Sequence, residues 1–257
     1  MTPLKITTIQ TNLFWEDITA NLTQLENKLA ALIGVSDVIV LPEMFTTGFS
    51  MNPTKLAELP NGITLAWLKE QAQKTKAVIT GSYIVNENGH YYNRLIWMQP
   101  DGHFQTYDKK HLFSLSAEPN HYTAGQERLI VEYKGWKICP LICFDLRFPV
   151  WSRNTENYDL LIYVANWPEK RAHHWRSLLT ARAIENQVYT IGVNRVGTDG
   201  NKSYHSGDTS VIDYNGSVLV HTAYVENINT IELDYQKQQD FRQKLRFLAD
   251  RDNFKLI

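Results

Sequence analysis

Three short runs set the terms for the fold: residues 38–41 (Val-Ile-Val-Leu), 138–144 (Ile-Cys-Pro-Leu-Ile-Cys-Phe) and 160–164 (Leu-Leu-Ile-Tyr-Val). Each is shorter than an ordinary helix, and none shows the polar alternation of a strand with one wet face. Runs of this kind belong to strands covered on both sides. Around them, apolar residues at helical spacing (Ile18, Leu22, Leu25, Leu29, Leu32) predict a helix over 15–33. Further helices are expected over 63–75 and 173–187, with a charged one over 236–248. Strands are expected over 4–10, 37–41, 77–85, 90–98, 103–107, 129–133, 136–143, 160–164, 188–194, 206–214, 217–222 and 229–233. Pro100-Asp101-Gly102, Lys134-Gly135 and Asn215-Gly216 supply turn chemistry between neighbouring strands. The βαβα opening calls for parallel strands with helical crossovers, and the later hairpins add antiparallel ones. No linker or internal repeat interrupts the pattern, so residues 1–257 read as one α/β domain.

Composition removes several functions. With 26 Lys+Arg against 27 Asp+Glu, the net charge is -1, without the basic surplus of a nucleic-acid binder. Two cysteines make neither a disulfide framework nor a four-thiolate zinc site. Residues 1–15 lack the basic start and apolar run of a secretory signal. No stretch approaches the roughly 18 apolar residues of a membrane span. We therefore expect a cytoplasmic protein with reduced thiols and no membrane or nucleic-acid partner. GxxxxGK[ST], GxGxxG after a strand, HExxH and GxSxG are all missing, which argues against phosphate-loop, dinucleotide, zinc-protease and serine-hydrolase chemistry. No cofactor and no metal are expected.

Polar residues at the ends of apolar strands are more informative, because ligands of α/β sheets sit beyond the carboxyl ends of strands. Cys143 ends one such run, and Glu43 follows another in Leu41-Pro42-Glu43. Lys109 follows a third strand, in Tyr107-Asp108-Lys109-Lys110-His111-Leu112-Phe113. Taken singly, each is more often a packing or surface residue. Taken together, a thiol, a carboxylate and an ammonium at three strand ends suggest nucleophilic catalysis. An unassisted thiol is only a few per cent thiolate at neutral pH, so a base must stand beside it. His111, His121, His173, His174 and His205 are candidates, and so is a carboxylate such as Glu43. Cys139 reads as a structural strand residue. A Cys139–Cys143 disulfide is not expected, because four strand residues span about 13 Å against a Cα limit of ~7 Å.

The three segments resemble the Glu, Lys and Cys motifs of the nitrilase superfamily of carbon–nitrogen hydrolases; the Cys motif is Leu141-Ile142-Cys143-Phe144-Asp145-Leu146-Arg147-Phe148-Pro149. Residues 163–168 (Tyr-Val-Ala-Asn-Trp-Pro), 181–187 (Ala-Arg-Ala-Ile-Glu-Asn-Gln) and 194–197 (Asn-Arg-Val-Gly) extend the likeness over nearly the whole chain and toward the omega-amidase branch. The resemblance implies a four-layer αββα sandwich of mixed sheets, paired into homodimers across a helical face. It implies hydrolysis of a small omega-amide that carries a carboxylate, such as 2-oxoglutaramate or 2-oxosuccinamate, through a thioester. Glu43 would be the base, Cys143 the nucleophile, and Lys109 with the backbone N–H of Phe144 the oxyanion donors. Glu118 falls where many relatives carry an additional active-site Glu. Arg147 falls where related carbamoyl-acid hydrolases bind a substrate carboxylate; the plainer reading is an ion pair with Asp145. Asn166 and Trp167 would shape the pocket wall. Lys110 stands where relatives often carry an apolar residue, and alignment on His-Leu-Phe selects Lys109 as the catalytic lysine. The alternatives within the superfamily are an N-carbamoyl amino-acid hydrolase and a nitrilase. Outside it stand a catalytically silent interaction protein and a metal-dependent phosphoesterase. The phosphoesterase would need Glu43, Asp145, Asn166, His205 and Asp208 to converge on a divalent ion.

Overall fold

A computed structural model describes residues 2–254. Its strands are β1 (Leu4–Gln10), β2 (Val38–Val40), β3 (Val78–Glu87), β4 (His90–Met98), β5 (Phe104–Asp108), β6 (Val131–Tyr133), β7 (Trp136–Ile142), β8 (Leu160–Ala165), β9 (Tyr189–Asn194), β10 (Val196–Thr198), β11 (Tyr204–Ile212), β12 (Val218–Ala223) and β13 (Asn227–Leu233). The helices are α1 (Ile18–Leu29), α2 (Pro53–Leu56), α3 (Ile63–Thr75), α4 (Ala172–Asn186) and α5 (Tyr235–Lys244). One six-stranded sheet runs β13-β1-β2-β3-β4-β5; a seven-stranded sheet runs β10-β11-β9-β8-β7-β6, with β12 paired to β11. The pairs β1–β2–β3 and β7–β8–β9 are parallel, and the remaining ladders are antiparallel.

The apolar runs are continuous because each sheet is buried on both faces. In β2, Val38 and Val40 pack with Leu4, Ile6, Trp97, Ile138 and Leu141 in the core between the sheets. Ile39, pointing the other way by strand alternation, packs with Leu25, Leu29, Leu68 and Ala72 of α1 and α3. On the far side of the second sheet, Trp175, Leu179 and Ala183 of α4 close the fourth layer. The architecture is the αββα sandwich of mixed sheets. Among the described residues, no helix is long and apolar enough to cross a membrane.

Several boundaries differ from the sequence reading. The first helix starts at Ile18, because the Asp17 side chain caps it by accepting the Ala20 N–H at 2.9 Å. It ends at Leu29, and Leu32 reaches the core from a 3-10 turn (Ala30–Leu32). The stretch 236–248 splits into α5 and a 3-10 turn, Phe247–Asp250. Residues 129–130 lie outside β6, and the short elements α2 and β10 were not foreseen. Cys143 is not the last strand residue: β7 stops at Ile142, and Cys143 opens a 3-10 turn.

Candidate active site

Four strand ends meet where the two sheets face each other. Glu43 lies just beyond β2 and Lys109 just beyond β5, both in the first sheet. Cys143 lies beyond β7 and Asn166 beyond β8, in the second. Glu118 arrives from a loop. Glu43 and Glu118 are 0% exposed, Lys109 1% and Cys143 8%. Lys109 Nζ donates to Glu43 Oε1 at 2.9 Å and to both oxygens of Glu118 at 3.0 Å. Glu43 is held on every side: Asn93 Nδ2 donates to Oε1 at 2.9 Å, and the Asn166 backbone N–H to Oε2 at 2.8 Å. Glu118 also accepts the Phe113 N–H. Phe49 places its ring 4.9 Å from Lys109 Nζ.

The electrostatics follow from this packing. Burial works against the charge of Lys109, but Glu118 and Glu43 outweigh it, and its ammonium is held above the ordinary range. Burial raises the carboxyl of Glu118 against the pull of Lys109. Burial and then the Glu43 carboxylate push the Cys143 thiol well up, which favours the protonated sulfur.

The backbone here is unusual. Cys143 has φ +44°, Met44 just after Glu43 has +42°, and Ala117 just before Glu118 has +60°. Left-handed non-glycine residues cost on the order of 1–3 kcal/mol and persist where their surroundings enforce them. At Cys143 the enforcement comes from Asp145. Its Oδ2 accepts the Ile142 N–H at 3.0 Å and the Tyr107 hydroxyl at 2.6 Å. Its Oδ1 accepts the His111 N–H at 3.0 Å and stands 2.8 Å from His111 Nδ1.

A cleft of about 260 Å³ opens onto the thiol. Lys109, Cys143, Phe144, Arg147, Asn166 and Trp167 all line it, so it gathers every expected site residue except the more deeply buried Glu43 and Glu118. Lys110 is elsewhere: it bonds Gln126 at 2.9 Å and lies over Trp151. Arg147 does not pair with Asp145, whose oxygens are taken. Its guanidinium lies over Trp167 at 4.7 Å, with Nη2 3.1 Å from His174 Nδ1. Among the histidines, His111 is engaged by Asp145, His174 by Arg147 and His205 by the Ser203 carbonyl at 3.1 Å; His121 and His173 do not line the cleft. Of these candidates, Glu43 is the group whose charge acts on the Cys143 thiol. The five residues of the phosphoesterase alternative do not converge: Asp145 serves Tyr107 and His111, and Asp208 serves Arg176, Ser206 and His221. No group of three His, Cys, Asp or Glu among the described residues is arranged to hold a metal.

The sequence reading missed Asn93, whose position beside Glu43 depends on strand pairing, and Phe49, Phe113 and Arg171 in the cleft wall. Arg171 carried one signal, its place in the basic pair Lys170-Arg171.

A sequence model of the family described as carbon-nitrogen hydrolase matches residues 5–243. The chain is 45% identical to an omega-amidase YafV of Yersinia enterocolitica over 258 positions, covering 100% of both chains. It is 36% identical to a 2-oxoglutaramate amidase of Bacillus subtilis, over 84% of this chain and 85% of that one. In three dimensions it matches XC1258 of Xanthomonas campestris, a CN-hydrolase superfamily protein with an arsenic adduct in its active site, with TM-score 0.99, 42% identity and 100% coverage of both chains. The chain belongs to the carbon–nitrogen hydrolases of the nitrilase superfamily, in their omega-amidase branch, and is a hydrolase of amides.

Proposed function

We propose that the protein hydrolyses a small omega-amide of a dicarboxylic acid, of the type of 2-oxoglutaramate, with Glu43, Lys109, Cys143 and Glu118 as its catalytic residues. The observation that carries this reading is the buried contact of one ammonium with two carboxylates beside a strained thiol. An amide is a weak electrophile with a poor leaving group, so it needs a nucleophile, an oxyanion site and a proton donor at once. Glu43 takes the thiol proton as sulfur attacks the amide carbon. Lys109 and the Phe144 backbone N–H take up the negative charge on oxygen. The intermediate collapses, the C–N bond breaks, and ammonia leaves with the proton that Glu43 held. Water then attacks the thioester, giving one proton to Glu43, which returns it to the sulfur as the C–S bond breaks. Glu118 orients Lys109 from the side opposite Glu43.

Arg147 receives the far carboxylate in this reading, while Asn166 and Trp167 form the wall beside it. The substrate is a free small molecule. The chain works as a single catalytic domain over residues 1–257, as a homodimer, and in the cytoplasm, where a reducing medium keeps Cys143 a thiol. Likeness to an omega-amidase and a 2-oxoglutaramate amidase supports the substrate class. Ammonia release from a panel of omega-amides, nitriles and carbamoyl acids tests it. Cys143→Ala should reduce release from 2-oxoglutaramate to background, and the unaltered enzyme should carry an acyl group on Cys143 by mass spectrometry. Full activity in that variant would sink the mechanism.

A further inference from the structure

The cleft carries more positive charge than its chemistry consumes. The ammonium of Lys109 is compensated by Glu43 and Glu118. Arg147 and Arg171, which both line the cleft, have no carboxylate within ion-pair distance among the described residues. The one carboxylate of the cleft wall, Asp199, accepts the backbone N–H groups of Asn201 and Ser203 at Oδ1, both at 2.9 Å, and turns Oδ2 toward His205 Nε2 at 4.0 Å.

Each guanidinium is backed by an aromatic ring. Arg147 lies over Trp167 at 4.7 Å, and Arg171 over Phe113 at 5.1 Å. The two supports are connected, because the Trp167 indole N–H donates to the Arg171 backbone carbonyl at 2.8 Å. Stacking holds a guanidinium plane and leaves its N–H edge for a ligand. The two charges are also close enough to oppose each other: burial and then Arg171 lower the basicity of Arg147. Two unpaired like charges on aromatic shelves in a half-closed cleft are unfavourable alone and favourable around an anion.

We propose that Arg171 is a second specificity residue, which closes with Arg147 on the carboxylate of the substrate. The inference rests on the reading of the site as one for carboxylate-bearing amides and assigns the recognition to a pair of guanidinium groups. Binding of glutarate, a dicarboxylate that the enzyme does not hydrolyse, tests the pair independently of catalysis. By calorimetry, Arg171→Gln should weaken glutarate binding about tenfold, the effect of losing one charge-assisted contact. Arg171→Lys, which keeps the charge and loses the fork, should fall between. In turnover, Arg171→Gln should raise KM about tenfold for the monoamide of glutaric acid at unchanged kcat, and leave kcat/KM for uncharged pentanamide within about twofold. Unchanged glutarate affinity in Arg171→Gln, or equal losses on the charged and uncharged amides, would overturn the proposal. Absence of ammonia from every amide with intact, Arg171-dependent glutarate binding would overturn the amidase reading and leave the clamp standing.

Discussion

The floor and the mouth of the cleft are built on opposite principles. On the floor every charge is buried and paired: Lys109 lies between Glu43 and Glu118, and Asn93 and the Asn166 N–H complete the coordination of Glu43. At the mouth, Arg147 and Arg171 are partly exposed and lack carboxylate partners among the described residues, and Leu115 is 84% exposed. Glu43, Lys109 and Cys143 of the floor follow strand ends fixed by two sheets, whereas Leu115 and Arg171 sit on short 3-10 turns and Phe113 on the loop before one. The floor has finished its electrostatic bookkeeping before any ligand arrives, and the mouth leaves its own to the substrate. This division places reactivity in the frame and selectivity in the loops.

If the division is sound, the largest effects belong to the floor. Lys109→Met should abolish ammonia release and lower unfolding free energy by about 3–5 kcal/mol, since it leaves two carboxylates buried together without their cation. Denaturant titration beside the activity assay checks both. A stable, active variant would mean that the floor does not depend on its pairing.

A smaller effect should come from His205 in the cleft wall. Burial, followed by the charge of Arg195, lowers its pKa from 6.5 to about 4. The unfolded chain therefore binds the proton more readily between these values, so stability falls as pH drops from about 7 toward 4. This one group accounts for about 2 kcal/mol between pH 7 and pH 5. His205→Gln should flatten the pH dependence of the denaturation midpoint by that amount; an unchanged slope would remove His205 as its source.

The smallest effect belongs to the mouth. Arg147→Ala should raise KM for carboxylate-bearing amides about tenfold, or about 1.4 kcal/mol, with stability nearly unchanged. An equal loss on uncharged amides would show that Arg147 shapes the pocket and does not read charge.

Legibility in the sequence follows the same division. The doubly covered strands announced themselves because β2, β7 and β8 have no solvent face to encode. Glu43 and Cys143 stood out as polar residues shortly after such strands, and Lys109 as one after the half-exposed β5. Asn93 did not, since it lies inside β4 and meets Glu43 only because the β4–β5 hairpin brings it level with Lys109, whose N–H donates to its carbonyl at 3.0 Å. The three residues of β10 carry no periodicity of their own and are ordered by pairing with β11. Arg171 lies past Pro168, beyond the reach of a rule about strand ends.

The high proton affinity of Cys143 also bears on how long the enzyme lasts. Oxidation and adventitious alkylation follow thiolate character and exposure. This sulfur is buried, and burial and the neighbouring Glu43 favour its protonated form. In the mechanism proposed above, its nucleophilicity is conferred during turnover, by passing the proton to Glu43, and withdrawn when the proton returns. In the proposed mechanism the same acid–base pair that performs the chemistry also restores the protonated sulfur after each turnover, the form least open to oxidants.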